Sequence, residues 1–211
     1  MPHVVLLGDS VLDNGAYTDG GPDVIQQVRE ELPPGWWASL NAADGSTTEE
    51  IPAQLSKVPS EATHLFLSVG GNNALLRADI LDTPVRSSGE ALLLLSDVAQ
   101  DFEIRYRRTV EACLRLNLPL VVFTIYHGNF PDLHYQRVAA AGITTFNDVI
   151  IRIATETRLK VIDIRFICNS PDDYANPIEP SSKGGGKIAQ AIVRAATEPA
   201  HSGRGAQIVA Q

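Results

Sequence analysis

The chain has 211 residues, 44% of them apolar and 20% charged, with a formal charge of −8. That length and balance suit one globular domain with a buried core. The acidic charge, without any block of Lys and Arg, argues against a surface that follows nucleic-acid phosphates.

The first element is a short apolar strand, Val4–Leu7, that stops at Gly8-Asp9-Ser10. Residues 11–21 are rich in Asp, Asn and Gly and read as loop. Asp23 is placed to cap a helix over 24–31, whose apolar residues share one face, and Pro33-Pro34-Gly35 ends it. A second strand follows over 36–40, then a turn-rich loop, Asn41-Ala42-Ala43-Asp44-Gly45-Ser46-Thr47-Thr48. Thr47 or Thr48 is expected to cap a helix running through Leu55. The third strand, over 64–69, runs into Gly70-Gly71-Asn72-Asn73. After a mixed stretch, a long amphipathic segment over 91–116 predicts one helix or two. A fourth strand spans 120–125, a loop 126–132, and helix returns over 134–157 with a possible break at Gly142. The fifth strand spans 160–164. A loop with three prolines leads to a last helix, capped by Ser181 or Ser182 and ending near Thr197. Three consecutive glycines, 184–186, weaken its first turn. The residues after Pro199 read as a disordered tail, so the domain is expected over 1–198 and the tail over 199–211.

Five strands alternating with helices predict a parallel sheet covered on both faces, an α/β doubly wound fold. In such a sheet the turns after strands 1, 2 and 3 share one edge. They deliver Ser10, Gly45 and Asn72 to it. A serine attacking an ester needs donors aimed at the developing oxyanion. The Ser10 and Gly45 N–H groups and the Asn72 amide are the right kind of donors.

These blocks resemble the SGNH, or GDSL, hydrolases. Gly8-Asp9-Ser10 matches the first block of that family, with Ser10 at the nucleophile. Residues 41–48 resemble the second, with Gly45 at the oxyanion glycine. Gly70-Gly71-Asn72-Asn73 resembles the third, with Asn72 at the oxyanion asparagine and Asn73 in place of the usual aspartate. The resemblance implies a three-layer, flavodoxin-like fold with five strands in the order 2-1-3-4-5. It also implies esterase or lipase activity on a small-molecule ester without a cofactor. The site then lies at the switch point between strands 1 and 3.

The last block departs from the family. Where Asp-x-x-His is usual, the chain has Asn176-Pro177-Ile178-Glu179, so Glu179 stands at the catalytic histidine and Asn176 at its aspartate partner. Three readings stay open. Glu179 is itself the base of a Ser10–Glu179 dyad, its pKa lifted from about 4.3 by burial. Alternatively a loop histidine, His127 or His134, replaces the base. The third reading is a site without a working base that binds an acyl group or carboxylate. Asp9, Asn73 and Asn176 are expected to support the site from behind.

The remaining features have plainer readings. Asp13 and Asn14 suit a turn or cap, Trp36 and Trp37 strand packing, Asp172 and Asp173 a solvated loop, and Arg105, Arg107 and Arg108 an exposed helix face. Cys113 and Cys168 read as reduced structural thiols, and no metal site is implied. No apolar run approaches the ~18 residues of a membrane span and no leader pattern stands at the start, so the chain reads as soluble and cytoplasmic.

Overall fold

The computed structural model describes residues 1–198 and 207–210. Its elements run β1 (His3–Gly8), α1 (Val24–Glu31), β2 (Trp37–Leu40), α2 (Ile51–Leu55), β3 (His64–Ser68), α3 (Gly71–Leu75), α4 (Ser88–Leu114), β4 (Leu120–Phe123), α5 (Leu133–Thr157), β5 (Lys160–Ile162), α6 (Ser182–Thr197) and β6 (Gln207–Val209). The strands form one parallel sheet in the order β2-β1-β3-β4-β5-β6. This is the expected α/β fold with one strand more than expected. Residues 207–209 lie in the stretch read as disordered tail, yet they pair with β5 in register from Lys160↔Gln207 to Ile162↔Val209. Val209 is buried there, so three residues with two β-branched side chains suffice to extend the edge. Residues 199–206 and 211 of the expected tail lie outside the described residues.

The strand period of two sorts the core into two layers. Val4, Leu6, Phe66, Val121 and Phe123 face one side, where α1 and α6 pack side by side. Val5, Leu7, Leu65, Leu67 and Val122 face the other, against α4 and α5. Every residue of β1 is buried, as a strand in the middle of a doubly covered sheet requires.

Several boundaries differ from expectation for local reasons. The 91–116 segment is a single helix, opened by the Ser87 side chain accepting from the Glu90 N–H. α5 passes Gly142 without a break. By length and composition α5 is apolar enough to cross a membrane, although Phe146, Val149, Ile150 and Ile153 pack into the core as those of a core helix do. The helix expected from Thr47 or Thr48 starts only at Ile51: Thr47 closes a single turn with the Glu50 N–H, and Pro52 has no N–H to return to the Thr48 carbonyl. Asp173, read as solvated, is completely buried: its carboxylate accepts from the Asn169 and Ser170 N–H groups and from Lys187. Gly184 makes this possible, since a Cβ there would stand 2.1 Å from the Asp173 carbonyl oxygen.

Candidate active site

β1 ends where β3 crowds it. Gly8 has φ +132°, and a Cβ on it would lie 1.7 Å from the Ser68 carbonyl oxygen. That oxygen accepts the Asp9 N–H at 3.0 Å. The chain then curls back, with the Leu12 and Asp13 N–H groups on the Asp9 carbonyl and the Val11 N–H on Asp9 Oδ1. This tight turn presents Ser10 at the carboxyl end of β1, between β2 and β3, where the strand order reverses. Ser10 is 6% exposed and Asp9 3%.

The second loop is laced onto the first. The Ala43 N–H donates to the Gly8 carbonyl, and the Asp44 N–H to Asp13 Oδ2 at 2.9 Å. Gly45 sits at φ +77°, a conformation that favours glycine. Gln54, buried on α2, was not singled out from sequence. Its Oε1 accepts the Gly8 N–H at 2.8 Å, and its Nε2 donates to the Gly8 carbonyl and to Ser46 Oγ. One amide therefore ties the nucleophile turn to the glycine loop. The third turn joins them as Asn72 Nδ2 donates to the Ser46 carbonyl at 2.9 Å. That bond uses one amide hydrogen and leaves the other for a ligand. Asn73 turns the other way and braces Thr48 through both its amide atoms. Neither the Ser10 nor the Gly45 N–H donates to a backbone carbonyl in these turns.

Glu179 arrives on the loop before α6. Asn176 Oδ1 accepts the Ile178 and Glu179 N–H groups, both at 3.0 Å, so Asn176 shapes the loop backbone and does not contact the Glu179 carboxylate. Tyr126 Oη donates to the Ile178 carbonyl at 2.6 Å. Asn14, expected only to make a turn or cap, donates from Nδ2 to the Pro180 carbonyl. Glu179 is 7% exposed, and its Oε2 has no hydrogen-bond partner among the described residues. Burial raises its pKa; the neighbouring Ser10 hydroxyl pulls the other way, and the Asp44 charge adds a smaller upward push. Ser10 and Glu179 line the same cavity, close enough for the hydroxyl to act on the carboxylate. Catalytic hydrogen bonds are often loose before substrate binds.

The acidic groups around Glu179 form a set. Asp9 is pushed up to about 7, chiefly by burial and further by the Glu179 charge. Tyr17 donates to Asp44 at 2.7 Å and is raised to about 12 by that bond first, then by burial. Of the two candidate histidines, one shares the cavity of Ser10 and Glu179 and the other does not. His127 lies at the cavity wall with its pKa lowered by burial and by Arg165, and the charges it senses are Arg165 and Asp163. The His134 N–H donates to the Asp132 side chain that caps α5, and His134 lines a different cavity. One cavity has Asp9, Ser10, Asn72, His127 and Glu179 on its wall.

Residues 6–185 match the GDSL-like Lipase/Acylhydrolase family. The chain belongs to that family. No curated protein matches it by sequence. Among solved structures, an extracellular lipase from Streptomyces rimosus superposes with a TM-score of 0.70 at 16% identity, over 93% of this chain and all (100%) of the other. A phospholipase A1 from Streptomyces albidoflavus gives 0.67 at 14% identity, covering 93% and 99%. An acetylxylan esterase from Geobacillus stearothermophilus gives 0.64 at 16% identity, covering 93% and 94%. At these identities the likeness is one of fold. The chain thus belongs to a family of lipases and acylhydrolases and has an α/β fold to match.

Proposed function

We propose that this GDSL-family chain hydrolyses a carboxylic ester by acyl transfer to Ser10, with Glu179 as the base. The observation that carries this reading is the buried Oε2 of Glu179, without a hydrogen-bond partner among the described residues, on the cavity wall that Ser10 also lines. An unsatisfied buried carboxylate oxygen costs about 1–3 kcal/mol; Asp173 Oδ1 is another, but only Glu179 lines the cavity of Ser10.

Glu179 takes the Ser10 proton as Oγ attacks the ester carbonyl. The carbonyl π electrons move to oxygen, and the oxyanion is held by the Ser10 and Gly45 N–H groups and the free amide hydrogen of Asn72. Collapse expels the alkoxide, which takes the proton back from Glu179. Water then repeats the sequence on the acyl-enzyme and releases the acid. A histidine base needs a carboxylate to fix its tautomer and steady its cation. A carboxylate base needs neither, which makes the joint loss of that histidine and its aspartate coherent. Its weakness is low basicity, and the raised pKa of Glu179 moves it toward the working pH.

The test is labelling of Ser10 by an active-site-directed phosphonate, together with ester hydrolysis by Glu179→Gln. We expect labelling in the parent and loss of hydrolysis in the variant, with the fold intact. Full activity in Glu179→Gln that disappears in His127→Ala transfers the base to His127. No labelling from about pH 6 to 10 makes the pocket a binding site.

A further inference from the structure

The cavity that holds Ser10 and Glu179 has a mainly apolar lining, with Arg77 and Tyr135 among its polar members. Its apolar wall comes from four elements: Leu75 of α3, Ile80 and Leu81 of the short helical turn Ala78–Asp82, Leu95 of α4, and Ile143 and Phe146 of α5. A second cavity lies on the far side of this wall. Ile80, Leu81, Leu95 and Gly142 line both, so these four residues are the partition between them. At Gly142 α5 meets Leu81 across this partition: a Cβ there would make an ordinary contact with Leu81 Cδ2 at 3.9 Å.

From this geometry we propose that the first cavity takes the acyl chain of the substrate, a medium-length unbranched hydrocarbon, and that Leu81 with Leu95 sets its maximum length. The inference rests on Ser10 as the acylated residue and adds the class of acid it carries. An acetyl group ends among the polar groups at Ser10 and gains nothing from the apolar walls. A longer chain removes those walls and its own methylenes from water, each methylene raising kcat/KM by up to about fourfold. The gain continues until the chain end meets Leu81 and Leu95. Deletion of the Leu81 side chain opens a way into the second cavity, where Val85, Leu94 and Val138 continue an apolar lining.

Nitrophenyl esters of acetate, butyrate, octanoate, dodecanoate and palmitate test this directly. For the parent, kcat/KM is expected to climb at least tenfold from acetate to octanoate and to fall by palmitate. Leu81→Ala shifts the maximum toward palmitate, with KM for the long esters changing more than kcat. Ala139→Phe fills the first cavity without touching the second and shifts the maximum toward butyrate. An acetate optimum, or a profile unmoved by both variants, overturns the proposal. Free acids titrated into Ser10→Ala separate the two readings. If no ester is turned over yet octanoate binds at least tenfold more tightly than acetate, the Ser10 reading fails and the cavity assignment stands. Equal binding of the two acids overturns the cavity assignment itself.

Discussion

Asn14 Nδ2 donates to the Pro180 carbonyl at 3.2 Å while Asn14 Oδ1 accepts the Val24 N–H at 2.9 Å. One side chain therefore couples the turn after Ser10 to the residue after Glu179, 166 positions further along the chain. Asn14 is fully buried, so water cannot replace a lost partner. Asn14→Ala leaves a carbonyl and an N–H unsatisfied and should cost about 1–3 kcal/mol of stability. It should also lower kcat for ester hydrolysis with little change in KM, because Glu179 is displaced while the acyl cavity is untouched. Urea unfolding with initial rates checks both. A variant as stable and as fast as the parent removes Asn14 from the positioning of the base.

The buried carboxylate of Asp9 gives a prediction with a definite sign. Its folded pKa is about 7 against an ordinary 3.8, so between those values the folded state holds a proton that the unfolded chain has lost. The stability linked to Asp9 is fully present below about pH 4 and disappears as pH rises through about 7. Glu179, also raised, acts in the same direction. Asp9→Asn keeps an oxygen for the Val11 N–H and removes the charge. It should be more stable than the parent by on the order of 1–3 kcal/mol near pH 8, and the advantage should vanish near pH 4. Denaturant midpoints at the two pH values decide it; a constant difference contradicts the linkage.

Two glycines of the site share a positive φ and should respond differently. At Gly8 a Cβ strikes the Ser68 carbonyl oxygen, so Gly8→Ala forces β1 from β3 and should cost about 3 kcal/mol or more. At Gly45 a Cβ meets nothing within 4 Å, leaving only the backbone term of about 1–2 kcal/mol. Thermal melts of the two alanine variants should rank in that order. Equal losses show that crowding at β3 is not what requires Gly8.

The contrast also explains what was legible in the chain. Gly8-Asp9-Ser10 stood out because a buried strand stops there, and Glu179 because Pro180 and a glycine-bearing helix follow it. Both are local patterns. Asn14 and Gln54 were not seen as ties because their partners are backbone groups distant in sequence, to which side-chain type offers no clue. Asp173 was misread for the same reason, since its burial depends on Gly184 and Lys187. β6 was missed because three residues carry too little pattern and owe their order to the edge of β5. The apolar cavity was equally invisible, being assembled from α3, α4 and α5 side chains that each read as ordinary helix packing.

Asn72 separates an enzyme from a binding protein most sharply. Its amide is oriented by the Ser46 carbonyl on one hydrogen, so the other has a fixed direction before any ligand arrives. A donor held in this way interacts most strongly with a full oxyanion and only weakly with a ground-state carbonyl. Asn72→Ala should therefore reduce kcat on an ester about a hundred- to a thousandfold with KM nearly unchanged. The same change should weaken free carboxylate binding by no more than about tenfold, the share of one hydrogen bond. If the site only binds, no ester is turned over and only carboxylate binding moves, by the smaller factor. Steady-state kinetics beside octanoate titration of the same variant distinguishes the two outcomes, and a loss confined to KM contradicts a role for Asn72 in holding the oxyanion.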